Sequence, residues 1–269
     1  MSPKLIKYSA YGLLILFSPL LFLTLGTYFN WFGVYEDAGD IVQDGRSYLI
    51  SSNEINEPTS ESAKQILFGD LHVHSTFSLD AFLGNLPIVR GEGVHPVSDA
   101  CNFARFCSNL DFFAITDHAE WLTSREWKDT IYSVQDYDFQ SRAAVNPPII
   151  SLLGWAWTHK SINKSNHYGH KNVILRSIES DAIPLRPIGA EGKFFENLLN
   201  MPVSTMLYAS LYDFKKRQNY FNVMHRKLIT NNLNRCSADK PVRDLPVDCI
   251  ERAISPEVLF NKLDDWGYD

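Results

Sequence analysis

Two apolar runs in this chain stop abruptly at groups that can do chemistry, and this constrains the fold more than any other feature. "ILFGDLHV" runs through His72 into His74, and "LDFFAITDH" ends at Asp117 and His118. Short apolar stretches bounded by polar residues have the pattern of strands buried within a sheet. Where such strands alternate with helices the sheet is parallel, and reactive groups collect at the C-terminal ends of its strands. The alternation is visible here. After the first run comes a Gly/Pro-rich loop, "LGNLPIVRGEGVHPVS", and Ser98 is placed to cap a helix through "DACNFARFCSN". A Trp-rich helical segment, "AEWLTSREWKDTIYSVQDYDFQSRAA", follows the second run. "PPIISLLGWAWT" reads as a third strand, "HKNVILR" as a fourth and "NYFNVMH" as a fifth. "SPEVLFNKLDDWG" carries helix-start signals, with Ser255 as cap, Pro256 at the first position and Glu257 in the first turn. The fold class is therefore α/β.

Side chains alternate along a strand, so His72 and His74 share one face with α-carbons roughly 6.6 Å apart. Neutral imidazoles at that spacing converge on one divalent ion such as zinc or manganese. Asp70 lies on the same face, placed to orient an imidazole through its second ring nitrogen. Asp80 lies six residues beyond His74 and can return from the loop as an oxygen ligand. A lone His-x-His also fits a solvated strand end, and the second run tips the balance. Asp117 and His118 bring an acid and an imidazole to the same level of the fold, with Glu120 just beyond, although an Asp in that position equally suits a helix cap. In "NHYGHKNVIL", His170 adjoins a strand and is the better ligand, while His167 belongs to the loop. His95, His159 and His225 have no partner in sequence and read as structural or surface residues. The aromatic and cationic residues of "EWLTSREW" and "WAWTHK" suit a substrate pocket or core packing equally.

The N-terminus has a separate character. Tyr11 to Phe32 is a run of 22 residues without a charge. As a helix it rises roughly 33 Å, against a hydrocarbon core of about 30 Å. Tyr28 and Trp31 suit an interfacial belt. Lys4 and Lys7 before the run, with Glu36, Asp37, Asp40 and Asp44 after it, place the N-terminus in the cytoplasm and the body in the periplasm or outside the cell. A cleaved signal peptide is the competing reading, but no small-x-small cleavage site follows. The chain thus divides into an anchor or signal peptide over 1–35, a polar linker over 36–65 and the globular part over 66–269. An even cysteine count outside the cytoplasm reads as disulfides, Cys236 with Cys249 across a polar loop and Cys101 with Cys107 around a short or distorted helix. No CxxC spacing supports zinc binding by these four, and buried thiols are the remaining alternative. A net charge of −6 gives no attraction to nucleic acid.

Five ordered blocks, "GDLHVHSTFSLDAF", "DACNFARFCSNLDFFAITDHAEWLTSREW", "GWAWT", "HYGHKNVILR" and "CIERAISPEVLFNKLDDWGYD", together resemble the DUF3604 family, which is related to the PHP (polymerase and histidinol phosphatase) metallohydrolases. The resemblance implies a distorted (β/α)7 PHP-like barrel that binds divalent Zn, Mn or Fe at its strand ends and hydrolyses phosphoesters of a small-molecule substrate. It implies His72, His74, Asp80, His118 and His170 as ligands, with Asp117 and His118 catalytic. Two departures follow. Ala156 stands in "GWAWT" where the family carries a Glu that bridges metals, and the chain stops at Asp269, where a further His-ended strand is expected. The expectation is therefore a barrel incomplete at its C-terminus, either a hydrolase or a member that retains metal binding with little or no activity.

Overall fold

The computed structural model describes residues 39–42, 66–108, 110–144, 149–161, 163–192 and 202–267, with parts of 11–31. Four strands form the main sheet in the order of the chain: β1 (Gly69–Val73), β2 (Phe112–Ile115), β3 (Ile150–His159) and β4 (Gly169–Ile174). The first three run parallel, as alternating strands and helices require. β4 is antiparallel to β3, with Asn172 opposite Ala156 and His170 opposite Thr158. The expectation of an all-parallel sheet is corrected here. The β3–β4 connection is too short to carry a crossover helix, so the chain must fold straight back. The sheet curls until its two edges meet, and Asn172 Nδ2 on β4 donates to the Leu71 carbonyl on β1 at 2.8 Å. The result is a mixed α/β fold around a half-barrel.

A second, parallel pair, β5 (Ile188–Ala190) and β6 (Glu251–Ala253), lies beside β3, where Trp155 Nε1 donates to the Ile188 carbonyl at 3.0 Å. Six helices complete the described architecture: α1 (Leu79–Gly84), α2 (Val97–Phe106), α3 (Ser124–Ala144), α4 (Val203–Tyr212), α5 (Arg217–Asn232) and α6 (Pro256–Trp266). Trp127, Trp155 and Trp157 are fully buried, with Trp127 edge-on to Trp155 at 5.7 Å, so the aromatic segments are core. Burial of each such side chain contributes roughly 1.5–3 kcal/mol or more. A smaller cluster of Phe82, Leu86, Met206, Ala209, Tyr220 and Val223 joins α1 to α4 and α5.

Several local expectations hold. Ser255 Oγ accepts from Val258 N at the start of α6, and Gly267 ends that helix in the left-handed conformation at φ 81°. Cys236 and Cys249 form a disulfide. Others do not hold. Ser98 lies inside α2, with Pro96 at the cap position. Cys101 and Cys107 are not bonded: Cys101 is buried within a regular helix and Cys107 exposed at its end. Six residues along a helix rise about 9 Å and turn to another face, beyond disulfide reach. β1 is an exposed edge strand, with Ile66, Leu67, Phe68 and Leu71 open to solvent.

"NYFNVMH" lies in α5, whose buried side carries Gln218, Asn222, Arg226 and Thr230 at every fourth residue, with Tyr220 and Val223 beside them. β5 and β6 had no counterpart among the expected strands. Within the stretch read as a linker, residues 39–42 rest on α2: Asn102 accepts from Val42 N and donates to the Asp40 carbonyl, and Ile41 joins the core. The remainder of that stretch lies outside the described residues. Among the described residues no helix is long and apolar enough to cross a membrane, and part of the run 11–32 lies outside them.

Candidate metal centre

β1 delivers His72 and the residue just after the strand is His74, the turn after β2 delivers His118, β4 delivers His170, and the first turn of α1 delivers Asp80. The curl of the sheet brings these groups together. The imidazole centroids of His72 and His74 are 4.8 Å apart, those of His72 and His170 4.6 Å, and those of His118 and His170 5.1 Å. Two sets of potential ligands result, His72–His74–His170 and His74–Asp80–His118, each with its donor atoms within 4.8 Å of one another. All five expected ligands therefore converge, and His74 belongs to both sets.

Ser78 organises the first half of the cluster. It occupies the cap position of α1 but leaves the helix uncapped and turns its hydroxyl inward. That hydroxyl donates to Asp80 Oδ1 at 2.8 Å and accepts from His118 N at 3.0 Å. Its single proton is thereby used, so His74 Nδ1, 3.0 Å away, must be the donor to it. The Nε2 atom of His74 then carries a bare lone pair. It is buried and has no hydrogen-bond partner among the described residues. A buried polar atom in that state is costly unless something fills it, and a divalent cation is the group an imidazole lone pair beside two others fits best. The residues present therefore suit a metal ion.

Thr158 organises the second half. Its hydroxyl lies 3.1 Å from His118 Nδ1 and 2.6 Å from His170 Nδ1. When both rings donate to it, their Nε2 atoms face the cluster as ligands. Glu120 supports the same arrangement. It is buried, with Oε1 accepting from Thr158 N and Ala190 N and Oε2 3.4 Å from His118 Nδ1. This gives the carboxylate–histidine geometry expected behind a ligating imidazole.

The remaining expected groups sit elsewhere. The Asp117 carboxylate is buried and turned away from the cluster, accepting from Ser75 N and Ser75 Oγ at 2.7 Å each. It fixes the turn that follows β1. Asp70 accepts from the His72 backbone N–H and does not reach an imidazole. His167 is an exposed loop residue whose ring bonds Ser161. Ala156 is fully buried on the site side of β3, between His118 and Asn172, and Asn172 Oδ1 is buried there without a partner among the described residues. Ser75, Ser78, Thr158 and Asn172 escaped the sequence reading, although Thr158 and Asn172 follow from strand alternation two residues from Ala156 and His170. Beside His74, between β1 and α2, a cleft of about 370 Å³ is lined by Val73, Ala100, Phe113, Asp70, His95 and Asp99 among others.

Electrostatics favour a cation. Burial alone would lower the pKa of His118, but hydrogen bonds to Asp80 and Glu120 outweigh it and hold the imidazole protonated up to about 9. Burial would likewise raise Asp80, yet its hydrogen bonds to His118, His74 and Ser78 keep it far below the usual carboxylate range. Without metal, a proton on His118 thus supplies the positive charge that the carboxylates demand. His72 and His170 are lowered by burial and by neighbouring imidazoles, which keeps them neutral and ready to ligate. Burial pushes Asp117 up to about 6 against its bonds to Ser75.

No curated protein and no solved structure matches the chain. His170 and Ala156 lie outside residues 61–145, the segment with a family match. Residues 61–145, which carry His72, His74, Asp80, Asp117 and His118, are similar to the family described as "Protein of unknown function (DUF3604)".

Proposed function

We propose that this chain is a metal-dependent hydrolase of phosphoesters or related compounds, akin to the PHP metallohydrolases. The observation that carries the reading is His74 Nε2, a buried lone pair without a partner among the described residues, on the imidazole common to both sets of potential ligands. A divalent ion there supplies Lewis acidity and hydroxide near neutral pH. The chain's own residues do the rest. His72, His74, Asp80, His118 and His170 hold the ion, Thr158 and Glu120 fix the His118 ring, and Ser75 with Asp117 fixes the turn beneath His74. The uncharged run Tyr11–Phe32 anchors the chain in a membrane, with the globular part outside the cytoplasm.

A second reading is favoured by Ala156, whose methyl cannot ligate: a metal-binding member with weak activity or none, serving as a scaffold. One experiment separates them. The metal-loaded chain is screened against phosphomonoesters and phosphodiesters beside His74→Ala and Ala156→Glu. Turnover abolished by His74→Ala supports the hydrolase. Absence of turnover in the wild type and in Ala156→Glu, with metal bound in both, rejects it in favour of the scaffold.

A further inference from the structure

Far from the metal cluster in sequence, α4 buries Met206, Ala209 and Ser210 and leaves its opposite face bare. Leu207 and Leu211 lie one turn apart on that face, as do Tyr208 and Tyr212, whose rings stack at 6.3 Å. Leu211, Tyr208 and Tyr212 are 66–73% exposed, and Phe214 in the following turn is half exposed. Exposed apolar residues in such a group mark an interaction surface. Beside them Lys215 and Lys216 are also exposed. The one acid between residues 202 and 217 is Asp213, which accepts from the Tyr220 hydroxyl at 3.2 Å. A chain of net charge −6 thus carries a locally basic, aromatic-rich face.

We propose that this face docks on an anionic lipid bilayer surface. Leucine and aromatic side chains enter the boundary between headgroups and acyl chains, where tyrosine's apolar ring and polar hydroxyl are both accommodated. The two lysines meet lipid phosphates. A second copy of the chain is a poorer occupant, since two-fold packing of one face on itself sets lysines against lysines. Docking here also orients the metal cluster. α5 continues from this turn, and its Arg226 donates to the Thr76 and Phe77 carbonyls in the loop between His74 and Ser78. The inference does not depend on the hydrolase reading.

The test uses the full chain in nanodiscs with Cys107→Ser, which removes the exposed native thiol. An environment-sensitive fluorophore is placed at Tyr212→Cys or, as a control on α3, at exposed Phe139→Cys. In discs containing phosphatidylglycerol the label at 212 shifts its emission to the blue and loses most of it to doxyl-labelled lipids. The shift shrinks in phosphatidylcholine alone and disappears with Lys215→Glu/Lys216→Glu, while the label at 139 stays water-like. Water-like emission at 212 in both discs overturns the proposal. So does equal quenching at 139, or a shift that follows protein concentration rather than lipid charge, which would indicate a second copy. Because the anchor run is retained, absence of the shift at 212 when both lysines are in place and the chain is still in the disc refutes this face without touching the anchor.

Discussion

Removal of the Arg226 side chain should unfold the link between the outer helices and the imidazole cluster. Arg226 is 2% exposed. Its guanidinium pairs with Glu126 Oε1 at 3.0 Å and donates to the carbonyls of Thr76 and Phe77 at 2.9 and 3.1 Å. Glu126 meanwhile closes a capping box at the start of α3, its Oε2 accepting from Thr123 N while Thr123 Oγ1 accepts from Glu126 N. Arg226→Met therefore strands a buried carboxylate and two carbonyls, a loss of about 3–5 kcal/mol. Against a total stability of about 5–15 kcal/mol, that lowers Tm by roughly 10 °C. Glu126→Gln removes the partner charge and retains the cap. The double variant should recover part of the Arg226→Met loss, because no charge is then stranded. Urea denaturation of wild type, both single variants and the double, with metal chelated throughout, measures the cycle. A cost below about 1 kcal/mol for Arg226→Met, or additivity within about 0.5 kcal/mol, refutes the argument.

Thr158→Val keeps shape but removes the hydroxyl shared by His118 and His170, and should weaken divalent-metal affinity about 10–100-fold by equilibrium dialysis. His118 has its folded pKa raised to about 9, so its charge stabilises the metal-free fold fully below the unfolded value near 6.5 and ceases to as pH rises through about 9. The Tm gap between wild type and His118→Gln without metal should accordingly be wide at pH 6 and close by pH 10; a gap independent of pH counts against it. Native protein should present one reactive thiol, exposed Cys107, to a disulfide reagent, because Cys101 is buried and its thiol pushed well above the usual range by that burial. A second thiol should react only after unfolding. Replacing Cys236 and Cys249 by serine opens a bridge across a sequence separation of 13, and should lower stability by about 3 kcal/mol in denaturant titration.

Much of the cluster was legible because its ligands lie at the ends of apolar runs and near them in sequence. His72 and His74 share a strand face by periodicity alone, and Asp117–His118 repeats the pattern. The convergence of His170 was less direct, because it depends on β4 folding back on β3 and on the curl that joins β4 to β1. Hydroxyls such as Ser78 and Thr158 carry no composition signal, and their role depends on which proton goes where. α5 was misread for a specific reason. Four of its buried residues, Gln218, Asn222, Arg226 and Thr230, are polar, which leaves the apolar ones, Tyr220 and Val223, too few to show a helical period, and with Phe221 they mimic a strand. The exposure of β1 was equally hidden, since apolar Ile66–Phe68 looks the same at an open edge as in a core.

The proposed divalent ion in the imidazole cluster is held through His74 Nε2. Cobalt(II) titration of the full chain in detergent, followed by visible absorption, tests it directly. Saturable ligand-field bands from nitrogen and oxygen donors are expected, displaced by zinc and lost in His74→Ala while the fold is retained. A titration without such bands, or bands unchanged in His74→Ala, would contradict it.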